Sequence, residues 1–341
     1  MKDSTVRIGI VGYGNWGPNL ARAFSAVPGC TVAAICDSNR ERLQAASSRY
    51  PAAKLTTSYD ALVNAPSIHS IVIAAPARIH FDCAMAALQR GKHVLVEKPI
   101  TRSVDEATRL INEATRRNLV LLVDHTFLFS PAVRKLREMI AGGILGDIHH
   151  FHSVRANLGV FRDDVNVFWD VALHDITILR HILNEKPTAL EAVGVRCTED
   201  GLASMGHLKV FFDSGAIADI TASWLSPCKI RRILISGSRR MICYDEAEPR
   251  EKVKLYDNCS ASAAQPRQGD RRDSELRCGD ASVQPIDQAE PLSLLAQHFR
   301  DCVNGMAVPL CDGRAGLRTI EMLTAVDRSV AEGGRRVSVS G

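Results

Sequence analysis

Apolar residues follow two different patterns along the chain, and the change comes near residue 125. Up to that point, short unbroken apolar runs alternate with stretches of helical period. Val6–Val11 (VRIGIV), Thr31–Cys36 (TVAAIC), Ile68–Ala75 (IHSIVIAA), His93–Val96 (HVLV) and Leu119–Val123 (LVLLV) read as strands covered on both faces. Between them the spacing predicts a helix over Arg40–Tyr50, a short one capped by Ser58 and ending at Val63, and one over His80–Arg90 stopped by Gly91. A capping box, Ser103-Val104-Asp105-Glu106, opens another, which runs to about Arg117 with Asn118 at its end. Strands alternating with helices in this way predict a parallel, doubly wound sheet, with ligands at the carboxyl ends of its strands.

Beyond His125 strands dominate. Ser130-Pro131 starts a helix ending near Gly142-Gly143, and strands are predicted at 148–156, 190–196, 206–212, 216–224, 230–236 and 241–244. Phe211–Ala216 reads as a hairpin with Gly215 in its turn. One helix, about Asp170–Leu183, interrupts the strands, and two, about Pro291–Asn304 and Gly313–Ala331, close the chain. The expectation is α/β overall: a dinucleotide-binding domain over 1–125, then an α+β domain over 126–341 with an open, mostly antiparallel sheet. Residues 257–290 form a polar excursion without an aromatic residue, too poor in apolar surface to fold alone.

The first strand leads into Gly12-Tyr13-Gly14-Asn15-Trp16-Gly17, a GxGxxG, with Pro18 where a helix would begin. The first glycine makes the tight turn, the second lets backbone approach a pyrophosphate, and the third allows close packing of helix on strand. The helix start offers N–H groups to phosphate. Asp37, at the end of the second strand, suits ribose hydroxyls and repels a 2′-phosphate, which favours NAD over NADP.

With 341 residues the chain has room for two domains, and its formal net charge of +4, spread over scattered basic doublets, gives no nucleic-acid signature. Ten cysteines without a CxxC pair read as reduced, cytoplasmic usage, and neither a disulfide framework nor a metal site is expected. No apolar run of spanning length occurs, so no membrane partner is expected.

Two places carry candidate chemistry. Glu97-Lys98-Pro99 follows a strand of the parallel sheet, where a lysine can stabilise an alkoxide; taken alone, it reads as an exposed strand end with Lys98 paired to Glu97. Asp170 and His174 lie four apart on one helix face, with His181 continuing the stripe and Val171, Ile178, Leu179 and Ile182 opposite. An imidazole there can take a hydroxyl proton, although such a pair alone is also an ordinary exposed pair.

The glycine loop, E-K-P and D-x-x-x-H, in that order, resemble the Gfo/Idh/MocA oxidoreductase family over nearly the whole chain. The resemblance implies a Rossmann domain binding NAD through Gly12, Tyr13, Gly14, Asn15, Trp16, Gly17 and Asp37, with Pro76, His80 and Glu97 beside the cofactor. It implies Lys98, Asp170 and His174 as the catalytic group, also touching substrate. Val123–Ile140 and Ser153–Ile176 resemble the nucleotide-sugar branch, so Arg155, Asn157 and Asn166 are expected at the sugar or the diphosphate. The activity implied is oxidation of a sugar hydroxyl, C3 of a nucleotide-linked hexose such as UDP-N-acetylglucosamine or its uronic acid. An inositol or free-hexose dehydrogenase, a keto-sugar reductase and a non-catalytic NAD-binding regulator or scaffold remain open. The open sheet implies a homodimer or homotetramer.

Overall fold

Six strands line up in one parallel sheet. They are β1 Val6–Val11, β2 Cys30–Cys36, β3 Lys54–Thr56, β4 Ser70–Ile73, β5 His93–Val96 and β6 Leu121–Val123, in the order β3-β2-β1-β4-β5-β6. The chain leaves β1 to one side and returns to its other side at β4, which makes the carboxyl end of β1 the switch point where such sheets bind ligands. The computed structural model describes residues 5–159, 162, 164–183, 185–197, 202–259 and 277–339.

Five helices connect these strands: α1 Gly17–Ser25, α2 Arg40–Arg49, α3 Tyr59–Val63, α4 His80–Gln89 and α5 Val104–Arg117. Their ends follow the expected chemistry. Asn39 accepts from the N–H groups of Glu41 and Arg42, and Ser58 caps α3. Ser103 accepts from Glu106 N at 3.2 Å while the Glu106 carboxylate reaches back to Arg102 N at 3.2 Å, one residue before the cap. Asn118 stops α5 in the left-handed region at φ 54°. The strand β3 was not foreseen, because KLT is only three residues long and half-exposed.

The rest of the chain adds α6 Pro131–Ala141, β7 Ile148–Leu158, a π turn over Phe168–Ala172 running into α7 Leu173–Ile182, then β8 Pro187–Arg196 and β9 Ala203–Phe212. There follow β10 Ile217–Ser223, β11 Leu225–Gly237, β12 Arg240–Asp245, β13 Val253–Cys259, β14 Arg277–Val283, α8 Pro291–Val303, α9 Gly313–Ala331 and β15 Val337–Ser338. The second sheet has the order β14-β13-β12-β11-β7-β10-β9-β8-β15. Its pairs are antiparallel except β7 with β10, which run parallel from Ile217 opposite His150 to Ser223 opposite Ala156. The Phe211–Ala216 hairpin has Gly215 at φ +86°, which favours glycine. Gly206 leaves a hollow in the sheet for the Phe168 ring, since a Cβ there would come within 2.1 Å of it.

The expected division into 1–125 and 126–341 differs from the observed one. Contacts divide the chain into Met1–Ser130 with Ala289–Thr324, and Pro131–Gln288 with Ala325–Gly341. The reason is apolar: Phe299 of α8 stacks edge-on against Phe24 of α1 at 5.8 Å, and Leu292, Leu295 and Ala296 join the core of the first unit. The polar excursion also differs at its flanks. β13 and β14 pair Leu255 with Ser282 and Tyr256 with Ala281, so polar chain there is held by ladder hydrogen bonds rather than by burial. Within that excursion 260–276 lies outside the described residues.

Candidate functional site

The glycine loop occupies the carboxyl end of β1. Gly12 sits at φ +88°, and a Cβ there would meet Ala74 O at 2.5 Å. A Cβ on Gly17 would lie 2.0 Å from Gly12 O, so helix and strand approach closely only because both positions lack one. Gly14 differs: a Cβ there would find only the Arg42 guanidinium, at 3.5 Å. That open side is the cradle through which backbone can approach a pyrophosphate, so the residues present fit a dinucleotide. Helix α1 begins at Gly17, one residue before Pro18, and Trp16 at its N-cap makes no side-chain capping bond.

Asp37 is buried and organises this loop. One oxygen accepts Tyr13 N–H at 2.6 Å, the other Asn39 N–H at 2.8 Å, and Arg42 Nη1 stands 3.6 Å away. Each carboxylate oxygen keeps a further lone pair for a ribose hydroxyl. The Tyr13 ring is core, edge-on to Tyr50 at 6.5 Å, so Tyr13 serves the loop through its backbone. Asn15 and Trp16 are exposed, and the Trp16 indole N–H donates to Asp124 Oδ2 at 3.3 Å.

Glu97 and Lys98 follow β5, and the peptide to Pro99 is cis. Glu97 Oε2 accepts the Lys98 N–H at 3.1 Å. Burial, with Asp124 beside it, pushes the Glu97 carboxyl well above the usual carboxylate range. His80, expected beside the cofactor, is 1% exposed, with its ring nitrogens 2.7 Å from Pro99 O and 2.8 Å from Ala75 O. It therefore struts the backbone on which Lys98 stands rather than facing the loop. Pro76 is exposed at the start of a 3-10 turn, Ala77–Ile79.

In the second unit, Asp170 and His174 stand four residues apart across the π turn and the start of α7, both half-buried. The π turn is marked by Leu173 N–H donating to Phe168 O, five residues back. Asp170 accepts from Trp224 Nε1 at 3.2 Å and lies 3.5 Å from Arg162 Nη1. His181 ends elsewhere, against Arg137 at 3.4 Å, where burial and the neighbouring arginines hold its imidazole down to about 4.

Two expected substrate contacts are structural. Arg155 falls on the buried side of β7 with Phe151 and Ser153, and its guanidinium grips Asp175 at 2.8 and 3.0 Å. Asn166 caps the π turn, accepting from Phe168 N and Trp169 N at 3.0 and 3.2 Å, and donates to Asp327 at 2.9 Å. Asn157, near the end of β7, is half-buried. Sequence reasoning missed Asp124, His125, Arg162 and Trp224. The first two had a usable signal, since both follow a parallel strand at its carboxyl end; Trp224 reaches Asp170 from distant sequence and had none.

Comparison with known proteins bears on the family and the fold. A family described as "Oxidoreductase family, NAD-binding Rossmann fold" matches residues 6–125, and the GFO/IDH/MocA C-terminal domain matches 133–243. The chain is 30% identical to UDP-N-acetylglucosamine 3-dehydrogenase of Acidithiobacillus ferrooxidans over 70% of this chain and 74% of that one. The crystal structure of that enzyme, GnnA, superposes with a TM-score of 0.80 at 26% identity, covering 96% of this chain and 98% of the other. Myo-inositol 2-dehydrogenase of Thermotoga maritima is 23% identical over 70% and 75% of the two chains. Glycine loop, strand order and matched domains together make this chain a member of the Gfo/Idh/MocA family of NAD-binding oxidoreductases.

Proposed function

We propose that this oxidoreductase oxidises a secondary hydroxyl of a nucleotide-linked hexose, C3 of UDP-N-acetylglucosamine or its uronic acid, to the 3-keto sugar. Gly12, Gly14, Gly17 and Asp37 hold NAD, with Glu97 at its nicotinamide side. The bound nicotinamide supplies the hydride acceptor. His174 takes the hydroxyl proton, Lys98 stabilises the alkoxide oxygen, and Asp170 orients the sugar. Because Lys98 and His174 belong to different units, their meeting at one substrate is part of this proposal.

The observation that carries the reading is the state of Asp170. Its carboxylate is fixed by the Trp224 indole and Arg162, one turn before His174, on an element whose start is pinned by Asn166. A merely solvated carboxylate would not have two side chains brought to it. The 30% identity to a UDP-N-acetylglucosamine 3-dehydrogenase supports the choice of sugar. A panel followed at the NADH absorbance tests it: UDP-N-acetylglucosamine and its uronic acid should reduce NAD, and myo-inositol and free hexoses should not. Turnover of myo-inositol alone would move the protein to the inositol enzymes. The same reading extends to assembly. Leu158, Ile230 and Leu234 are exposed on adjacent strands β7 and β11 and would be covered in a homodimer or homotetramer, which sedimentation detects as a mass two or four times that of the chain.

A further inference from the structure

Strands β5 and β6 pair in parallel with Val96 opposite Val123, so the residues that follow, Glu97 and Asp124, emerge side by side at the carboxyl end of the sheet. The Asp124 N–H continues the ladder to Val96 O at 2.8 Å. Its side chain is 2% exposed, accepts from the Trp16 indole of the glycine loop at 3.3 Å, and takes the Thr126 hydroxyl on its other oxygen. Glu97 Oε2 takes the Lys98 N–H, whereas Glu97 Oε1 is buried with no donor at hydrogen-bonding distance. The register sets the two carboxyls at neighbouring positions, and Asp124 is among the groups that raise the Glu97 carboxyl.

Two neighbouring carboxylates away from water cannot both ionise without a large cost, and one shared proton would relieve both that cost and the partnerless Glu97 oxygen. The other titratable neighbours do not supply that proton. Lys98 is the adjacent cation. Burial and Lys98 hold the His125 imidazole down to about 3, and burial pushes the Cys311 thiol, next to Asp312, far up, so both are neutral at pH 7.

We propose that Glu97 and Asp124 act as one acid pair holding a single proton, a positioning pair that ties the glycine loop to the Lys98 turn and whose one negative charge favours oxidised over reduced nicotinamide. Oxidised nicotinamide is a cation and the reduced form is neutral, so a buried negative charge at that end of the site discriminates between them. The proposal rests on Glu97 lying at the nicotinamide side, as in the reading above, but not on the identity of the sugar.

Counting charges tests it without any sugar. The dissociation constants of NAD and NADH are measured at pH 7 for wild type, Glu97→Gln, Asp124→Asn and the double variant. With one proton shared, each single variant keeps one negative charge. Each should weaken both nucleotides alike and leave their ratio within about twofold of wild type, while the double variant loses about tenfold in preference for NAD. A shift in either single variant would mean both groups are ionised, and an unchanged ratio in the double variant would mean the charge does not act on the nicotinamide; either result overturns the proposal. Infrared difference spectra give a second readout should the double variant fail to fold. A protonated-carboxyl C=O stretch must be present in wild type at pH 7 and lost in both single variants; its absence from wild type would equally overturn the pair. Failure of the sugar panel leaves all these outcomes readable.

Discussion

Removing the Arg155 guanidinium should leave Asp175 as a buried carboxylate without its bidentate partner. Arg155→Met is expected to cost about 3–5 kcal/mol, seen as a lowered urea midpoint at unchanged slope, and a second change, Asp175→Leu, should recover much of it. A diphosphate contact would behave in the opposite way, raising KM for the UDP-sugar at unchanged stability. His125 offers a pH test. Neither ring nitrogen has a hydrogen-bond partner among the described residues, and the imidazole is held from its ordinary 6.5 down to about 3. The unfolded chain therefore binds the proton that the native state refuses, and stability is lost as pH falls from 6.5 toward 3. Over that window His125→Leu should lose less stability than wild type, by as much as ~1.4 kcal/mol per pH unit. Glu97 has the opposite sign. Its raised value adds stability below its ordinary 4.5 that is lost as pH rises through the folded value, so Glu97→Gln should flatten the alkaline side.

At the scale of elements, the glycine loop separates folding from binding. A Cβ on Gly17 collides with backbone, so Gly17→Ala should unfold the loop, with a loss above about 2 kcal/mol by thermal melting. Gly14→Ala meets only a flexible guanidinium, so its Tm should stay within about 2 °C while NADH affinity falls about tenfold or more. Equal loss of stability in both variants would remove the distinction between a packing glycine and a cradle glycine. This loop was legible in the sequence because its residues act through local backbone geometry, as do the caps Ser58 and Ser103. The π turn before α7 was not, because a five-residue hydrogen bond leaves the apolar spacing of Val171, Ile178, Leu179 and Ile182 intact. Nor was β14, whose polar residues are kept by pairing with β13, a long-range condition invisible to local pattern.

For the whole molecule, two patterns of apolar residues sufficed to foretell a parallel sheet followed by a mostly antiparallel one. They did not reveal that α8 returns to the first unit, because its apolar stripe shows that Phe299 is buried but not against which core. Polar candidates divide in the same way. Asp37 was readable because it follows the strand paired with the one that leads into the glycine turn, while Arg155 and Asn166 were claimed by Asp175 and Asp327, partners set by tertiary packing. Among the described residues no helix is long and apolar enough to cross a membrane. The central claim is that Lys98 acts on the oxygen being oxidised and does not hold the nucleotide. It is tested most directly by Lys98→Met, assayed for NAD reduction with UDP-N-acetylglucosamine and for NADH binding by fluorescence. Turnover should fall by at least about 10²-fold with NADH affinity nearly unchanged. Turnover at the wild-type rate would contradict it.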